Sequence, residues 1–134
     1  MRKGFTLIEL LIVLAVIAAL MAVVTPIALN AVAQAKATQV ASNFRNIKSA
    51  IESYVNVERG LPSDLNALVT SGYLSSAPSD FSVSFGTFDN TSGVATATIT
   101  YSGTVDTGKL ENVYSEVDTT SSSPTLDITL RKWW

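Results

Sequence analysis

The apolar run from Phe5 to Leu29, "FTLIELLIVLAVIAALMAVVTPIAL", limits what this chain can fold into more than any other feature. Only Thr6, Glu9, Thr25 and Pro26 interrupt it. As an α-helix rising about 1.5 Å per residue it spans roughly 37 Å, more than the roughly 30 Å hydrocarbon core of a bilayer. A helix that is apolar all round has no side suited to water, so lipid or other helices must cover it. Arg2 and Lys3 stand just before the run, and the positive-inside tendency puts that end in the cytoplasm with the rest of the chain outside. A cleaved secretory signal has an apolar core of only about 7–15 residues before a small-residue cleavage site. Here the run is longer and leads straight into a second helical pattern, so a membrane span fits better.

Beyond Asn30 the chemistry changes and the period does not. Val40, Phe44, Ile47, Ile51 and Val55 recur at steps of four or three, one stripe of an amphipathic helix. Lys36, Arg45, Lys48 and Glu52 lie largely off the stripe, and Lys48–Glu52 has the spacing of an i,i+4 ion pair. Ala28, Ala31, Ala33, Ala35 and Ala37 keep the junction slim and helical. With no glycine between Phe5 and Arg59, the pattern predicts one helix from Phe5 to about Val57, roughly 80 Å long. Pro26 is its one expected kink. Gly60-Leu61-Pro62 then stops it, the glycine-then-proline pattern of a helix C-terminus.

The remainder reads as a small head. Ser63 is placed to cap a short helix, "DLNALVTSG", with Leu65, Leu68 and Val69 on one side, and Gly72 closes it. "FSVSFGTF" alternates Phe81, Val83 and Phe85, with a turn at Asn90–Gly93. "VATATITYS" and "TLDITLRKW" alternate in the same way, the second as Leu126, Ile128 and Leu130. Leu110, Val113, Tyr114 and Val117 have helical spacing, which predicts a short helix or an irregular excursion between those strands. Residues 119–125 have the composition of a surface loop. The sum is an α+β fold: a sheet of three or four antiparallel strands packed on the amphipathic half of one long helix. The expected division is a leader at 1–4, a membrane or filament-core helix at 5–29, and the amphipathic half plus head at 30–134.

Composition narrows the chemistry. The 134 residues include no cysteine and no histidine, which removes thiol catalysis, disulfides, the usual zinc sites and a Ser-His-Asp triad. No paired-carboxylate motif stands out, no catalytic residue is expected, and no cofactor or metal is implied. The net charge is −2, and apart from Arg2–Lys3 there is no basic cluster that could follow a phosphate backbone, so direct nucleic-acid binding is not expected.

The leader carries a resemblance. A short basic segment ending in Gly4, then "FTLIELLIVLAVIAAL" with Glu9 as the fifth residue after the Gly4–Phe5 step, resembles the N-terminus of type IV pilins and pseudopilins over about residues 2–27. "PSDLNALVTSGYL" is also similar to the segment after the long helix in many of them. The resemblance implies cleavage after Gly4 by a membrane-embedded prepilin peptidase, often N-methylation of the new N-terminus at Phe5, and residence in the inner membrane as a single-pass precursor. It further implies homo-oligomerisation into a helical filament that ends on the cell surface, with an assembly platform, assembly ATPases and minor pilins as partners. Adhesion, twitching motility, DNA uptake and secretion are the processes such filaments serve.

Physics then gives Glu9 a role. A charge at mid-span costs about 2.5–3.5 kcal/mol by insertion scales, and a position one turn in costs less because the side chain reaches the headgroups. In staggered parallel helices, Glu9 of one subunit can meet the Phe5 ammonium of a neighbour, fixing axial register and coupling assembly to cleavage. Removing either partner strands a buried charge. The plainer alternative is an interfacial acid of a single-pass anchor.

Some features depart from the family pattern or admit bland readings. Ala18 stands where pilins most often have glycine, leaving only Pro26 to promote local melting of the helix. Ala28 and Ala31 stand where many pilins have aromatic residues, and the disulfide-bounded loop of many family members is absent. Trp133–Trp134 are expected to fold back as a hydrophobic clamp rather than form an adhesive or subunit contact. Asn90-Thr91-Ser92 matches a glycosylation sequon and Ser121–Ser123 could carry O-glycans, but a plain turn and loop are the simpler reading. Asp80, Asp89, Asp106 and Asp118 form no recognisable calcium loop and are read as solvated acids.

Overall fold

The computed structural model describes Gly4 and residues 6–134. Its first element, α1, is a continuous helix of 52 residues, Leu7–Glu58, and passes through Pro26 without interruption. The chain divides into two compact units, Met1–Ala33 and Gln34–Trp134. In the first, every large apolar side chain from Leu7 to Val32 is exposed. This is the one helix, among the described residues, that is long and apolar enough to cross a membrane.

The second unit is an α+β head of the pilin type. After α1 come α2 (Leu65–Thr70), β1 (Phe81–Phe85), β2 (Val94–Tyr101), α3 (Thr107–Val113) and β3 (Thr125–Arg131). The three strands form one antiparallel sheet in the order β1-β2-β3, with Val83 opposite Ile99 and Ala97 opposite Ile128. The expected stripe on α1 is the core: Val40, Phe44, Ile47, Ile51 and Val55 are each at most 2% exposed. Against it lie Ala95, Ala97, Ile99 and Tyr101 of β2 and Leu126, Ile128 and Leu130 of β3. The small residues of β2 have a packing reason, because alanines at 95 and 97 let the middle of the sheet approach the helix. Rings fill the wider end: Phe44 meets Phe81 edge-on at 5.0 Å, and Phe81 lies 4.8 Å from Tyr101. Burying a side chain of this size contributes about 1.5–3 kcal/mol each.

Several local details differ from the sequence expectation, each for a physical reason. The cap of α2 is Asp64, not Ser63: its carboxylate accepts from the Ala67 N–H at 2.9 Å. Lys48 pairs with Glu116 at 3.6 Å rather than with Glu52, because the segment after α3 brings a carboxylate to it. Arg45 pins the same segment, donating to the Val113 carbonyl at 3.0 Å while its guanidinium lies 4.6 Å over the Tyr114 ring. Tyr114 and Val117, which share the spacing of Leu110, are buried beyond the end of α3 and not on it. At the end of α1 it is Arg59, not Gly60, that takes the left-handed backbone conformation, with φ 57°. That conformation costs a non-glycine residue about 1–2 kcal/mol.

The loop acids are not merely solvated. Asp106 caps α3 through the Lys109 N–H. Asp89 accepts from the amides of Thr91 and Ser92 at 2.6 and 3.0 Å, building the turn that carries the Asn90 sequon. Hydrogen bonds from Ser92 and Thr91 hold its carboxyl below the usual carboxylate range. Asp118 is lowered in the same way by the hydroxyl and amide of Thr120. The clamp expectation also needs correction. Trp133 donates its indole N–H to the Asn56 carbonyl, an unpaired acceptor in the last turn of α1, yet it stays 60% exposed. Trp134 packs edge-on against Phe88 and Trp133 and is 38% exposed, so the pair braces a rim and does not seal the core.

Candidate assembly site at the N-terminus of the long helix

Helix α1 starts at Leu7 for a reason the sequence carries in "TLIE". The Thr6 hydroxyl oxygen accepts the Glu9 N–H at 3.1 Å, and the Thr6 carbonyl accepts the Leu10 N–H at 3.1 Å. Thr6 is therefore the N-cap, and Glu9 occupies the third helical position of an S/T-x-x-E capping pattern. An ionised carboxylate in the first turn also meets the positive end of the helix dipole, worth about 0.3–1 kcal/mol when exposed. This partner of Glu9 is missing from the sequence reading, although the Thr6-to-Glu9 spacing was the signal that could have found it.

Glu9 is exposed, as are Gly4 and Thr6 on either side of the expected cleavage step. Phe5, the proposed new N-terminus and methylation site, lies outside the described residues, and so does its pairing with Glu9. Ala18 and Pro26 both lie within the uninterrupted helix and are exposed. Among the described residues no three His, Cys, Asp or Glu side chains gather as a metal site would require. What the arrangement offers is an apolar helix surface with one acid a single turn from its start.

Long helix, apolar first part and small antiparallel sheet define the class: an α+β fold of the pilin type. Residues 1–25 match the family model described as the prokaryotic N-terminal methylation motif, the class III signal peptide motif of type IV pilins. No curated protein and no solved structure matches the chain. The motif marks a type IV pilin- or pseudopilin-like precursor, implying processing by a peptidase and association with a membrane. It points to a structural protein family.

Proposed function

We propose that the chain is the structural subunit of a type IV pilus. It is inserted in the inner membrane as a prepilin, cut after Gly4, N-methylated at Phe5 and polymerised into a helical surface filament. The carrying observation is the methylation motif at residues 1–25 joined to a helix whose large apolar side chains from Leu7 to Val32 all lack cover. Lipid covers that surface before assembly and neighbouring copies of the same helix cover it afterwards. Glu9 and the Phe5 ammonium of a neighbour set the axial register, and Pro26 is the point where the helix kinks. The head-to-tail contact is heterologous and does not close, so it propagates as a filament. The ATPases, platform and minor pilins of such a system drive growth and retraction, and adhesion, twitching motility or DNA uptake follows.

The second reading is a type II secretion pseudopilin, for which the same motif and fold serve equally well. A third is a membrane-anchored binding domain that never polymerises. Mass spectrometry of the N-terminus, with electron microscopy of sheared surface material, separates the three. A methylated Phe5 and long surface filaments are expected. A methylated Phe5 without surface filaments leaves the pseudopilin, and an intact leader on the cellular protein leaves the anchored domain. Gly4→Val should hold the chain as a full-length membrane protein; filament yield at the unmodified level would count against cleavage-coupled assembly.

A further inference from the structure

The sheet has two open edges whose hydrogen-bonding parity and side-chain faces, taken together, let them join in one sense. In an antiparallel ladder each residue turns both N–H and C=O toward the same neighbour. On β3, the Lys132 N–H donates to Gly93 at 2.8 Å and Pro124 accepts from the Tyr101 N–H at 2.9 Å, so Leu126, Ile128 and Leu130 bond to β2. Thr125 exchanges both its bonds with Asp118 on the outer side, at 2.7 and 3.0 Å. Asp127, Thr129 and Arg131 share that outward parity, and their backbone groups meet no partner among the described residues. On β1, Gly86 donates to Thr96 at 2.9 Å and Asp80 accepts from Ser102 at 2.8 Å, which turns Phe81, Val83 and Phe85 outward, also unpaired among the described residues.

Side chains complete the constraint. Phe81, Val83 and Phe85 pack on the core face, whereas Asp127, Thr129 and Arg131 stand on the solvent face. We propose that the β1 edge of one copy adds in parallel to the β3 edge of the next, extending the sheet from head to head. Antiparallel addition would set outward residues opposite one another, driving Val83 onto the face of Thr129. Parallel addition instead bonds each outward residue to the two flanking its opposite number. Ser82 and Ser84 then stand opposite Asp127 and Thr129 on the solvent face, and Val83 and Phe85 opposite Ile128 and Leu130 on the core face. At the Leu130 end, where Phe85 would stand, a groove of about 250 Å³ runs beside the β3 edge, lined by Glu52, Val55, Asn56, Thr129, Leu130 and Arg131. β1 is uncharged, so Asp127 and Arg131 meet no like charge across the junction.

Orientation favours the same pairing. β1 and β3 both run antiparallel to β2, hence parallel to each other, so two copies related by translation meet β3 to β1 in parallel. Copies anchored by the same helix in one membrane, or stacked in one filament, share the direction of that helix. The proposal rests on the filament reading for its full extent, because the contact is heterologous and open-ended.

Engineered cysteines test it without background, since the chain has none. Within one copy, residue 84 lines up with residue 127 two strands away and residue 129 lies two residues further along, about 11–12 Å off and beyond disulfide reach. Ser84→Cys with Thr129→Cys, in filaments sheared from cells making the full chain, should give an oxidation-dependent ladder of dimers, trimers and higher species. Val83→Cys with Thr129→Cys should give none. A ladder from the second pair alone would mean antiparallel pairing and overturn the proposal. Filaments without a ladder from either pair would overturn it while leaving the filament reading intact, and so would cross-linking of residue 129 only to a different protein. If the unmodified chain forms no filaments, the filament reading fails on its own. The same two cysteine pairs in the full chain reconstituted into lipid vesicles then decide the edge pairing by the same ladder criterion.

Discussion

Helix α1 has one secondary structure and two surfaces that demand different surroundings. From Leu7 to Val32 its apolar residues stand exposed on every side, and from Ala37 to Val55 they collect on one stripe with exposures of at most 4%. The helical backbone is common to both, so the difference lies in the side chains alone. A one-sided stripe can be buried by a single sheet of the same chain. An all-round apolar surface needs cover from several directions, which in this chain nothing among the described residues supplies. The lesson is that the head carries its own stability while the N-terminal part depends on what surrounds it.

The sharpest break in that comparison is at Glu9. Replacing it with valine removes the acid from the N-terminal part and should abolish filaments while leaving the melting temperature of the head unchanged. Electron microscopy and thermal denaturation in detergent check the two halves, and normal filaments would refute the register role. Matched truncations on the two parts come next. Phe44→Ala should cost the head about 3–5 kcal/mol, whereas Leu14→Ala, with no packed neighbours in the same chain, should change head stability by less than about 0.5 kcal/mol. Denaturant titration of the two variants in the same detergent measures the contrast.

Smaller effects sharpen the account of the head. Asp64→Ala removes the α2 cap and should cost about 0.5–2 kcal/mol, while Ser63→Ala, the cap expected from the sequence, should cost little. The least effect concerns pH. Asp89 and Asp118 have carboxyls lowered in the folded state, so the unfolded chain binds protons more readily. Their contribution is therefore present above the ordinary carboxylate range and is lost as pH falls through their lowered folded values. Head stability should decline below about pH 4, and the decline should be shallower in Asp89→Asn and Asp118→Asn than in the unmodified chain. A pH series of thermal melts reads this directly.

Legibility followed the range of the interaction. The stripe on α1 and the alternation of Phe81, Val83 and Phe85 could be read early because periodicity is a local consequence of backbone geometry. The motif around Gly4 and Glu9 could be read because its residues lie close together in the chain, and residues 1–25 match the N-terminal methylation motif. Partners were misjudged where two candidates competed. Lys48 had Glu52 one turn away, but Glu116 is the acid that tertiary packing brings to it. Ser63 was the expected cap of α2, but the backbone places the neighbouring Asp64 carboxylate before the Ala67 N–H instead. Trp133 was expected to fold back as a hydrophobic clamp, and it does reach α1, but through its indole N–H to the Asn56 carbonyl with the ring left exposed.

By itself the sequence determined the apolar segment, the acid near its start, the amphipathic stripe and the three alternating strands. All of these rest on hydrophobic period and chain order, which no partner can alter. Only the tertiary structure decided which edges of the sheet stay open, which acids close turns, and which residues join the segment after α3 to α1. The reason is parity and distance: a strand's outward hydrogen bonds exist only once its inward ones are assigned. That assignment couples residues such as Gly93 and Lys132, whose proximity no local pattern encodes.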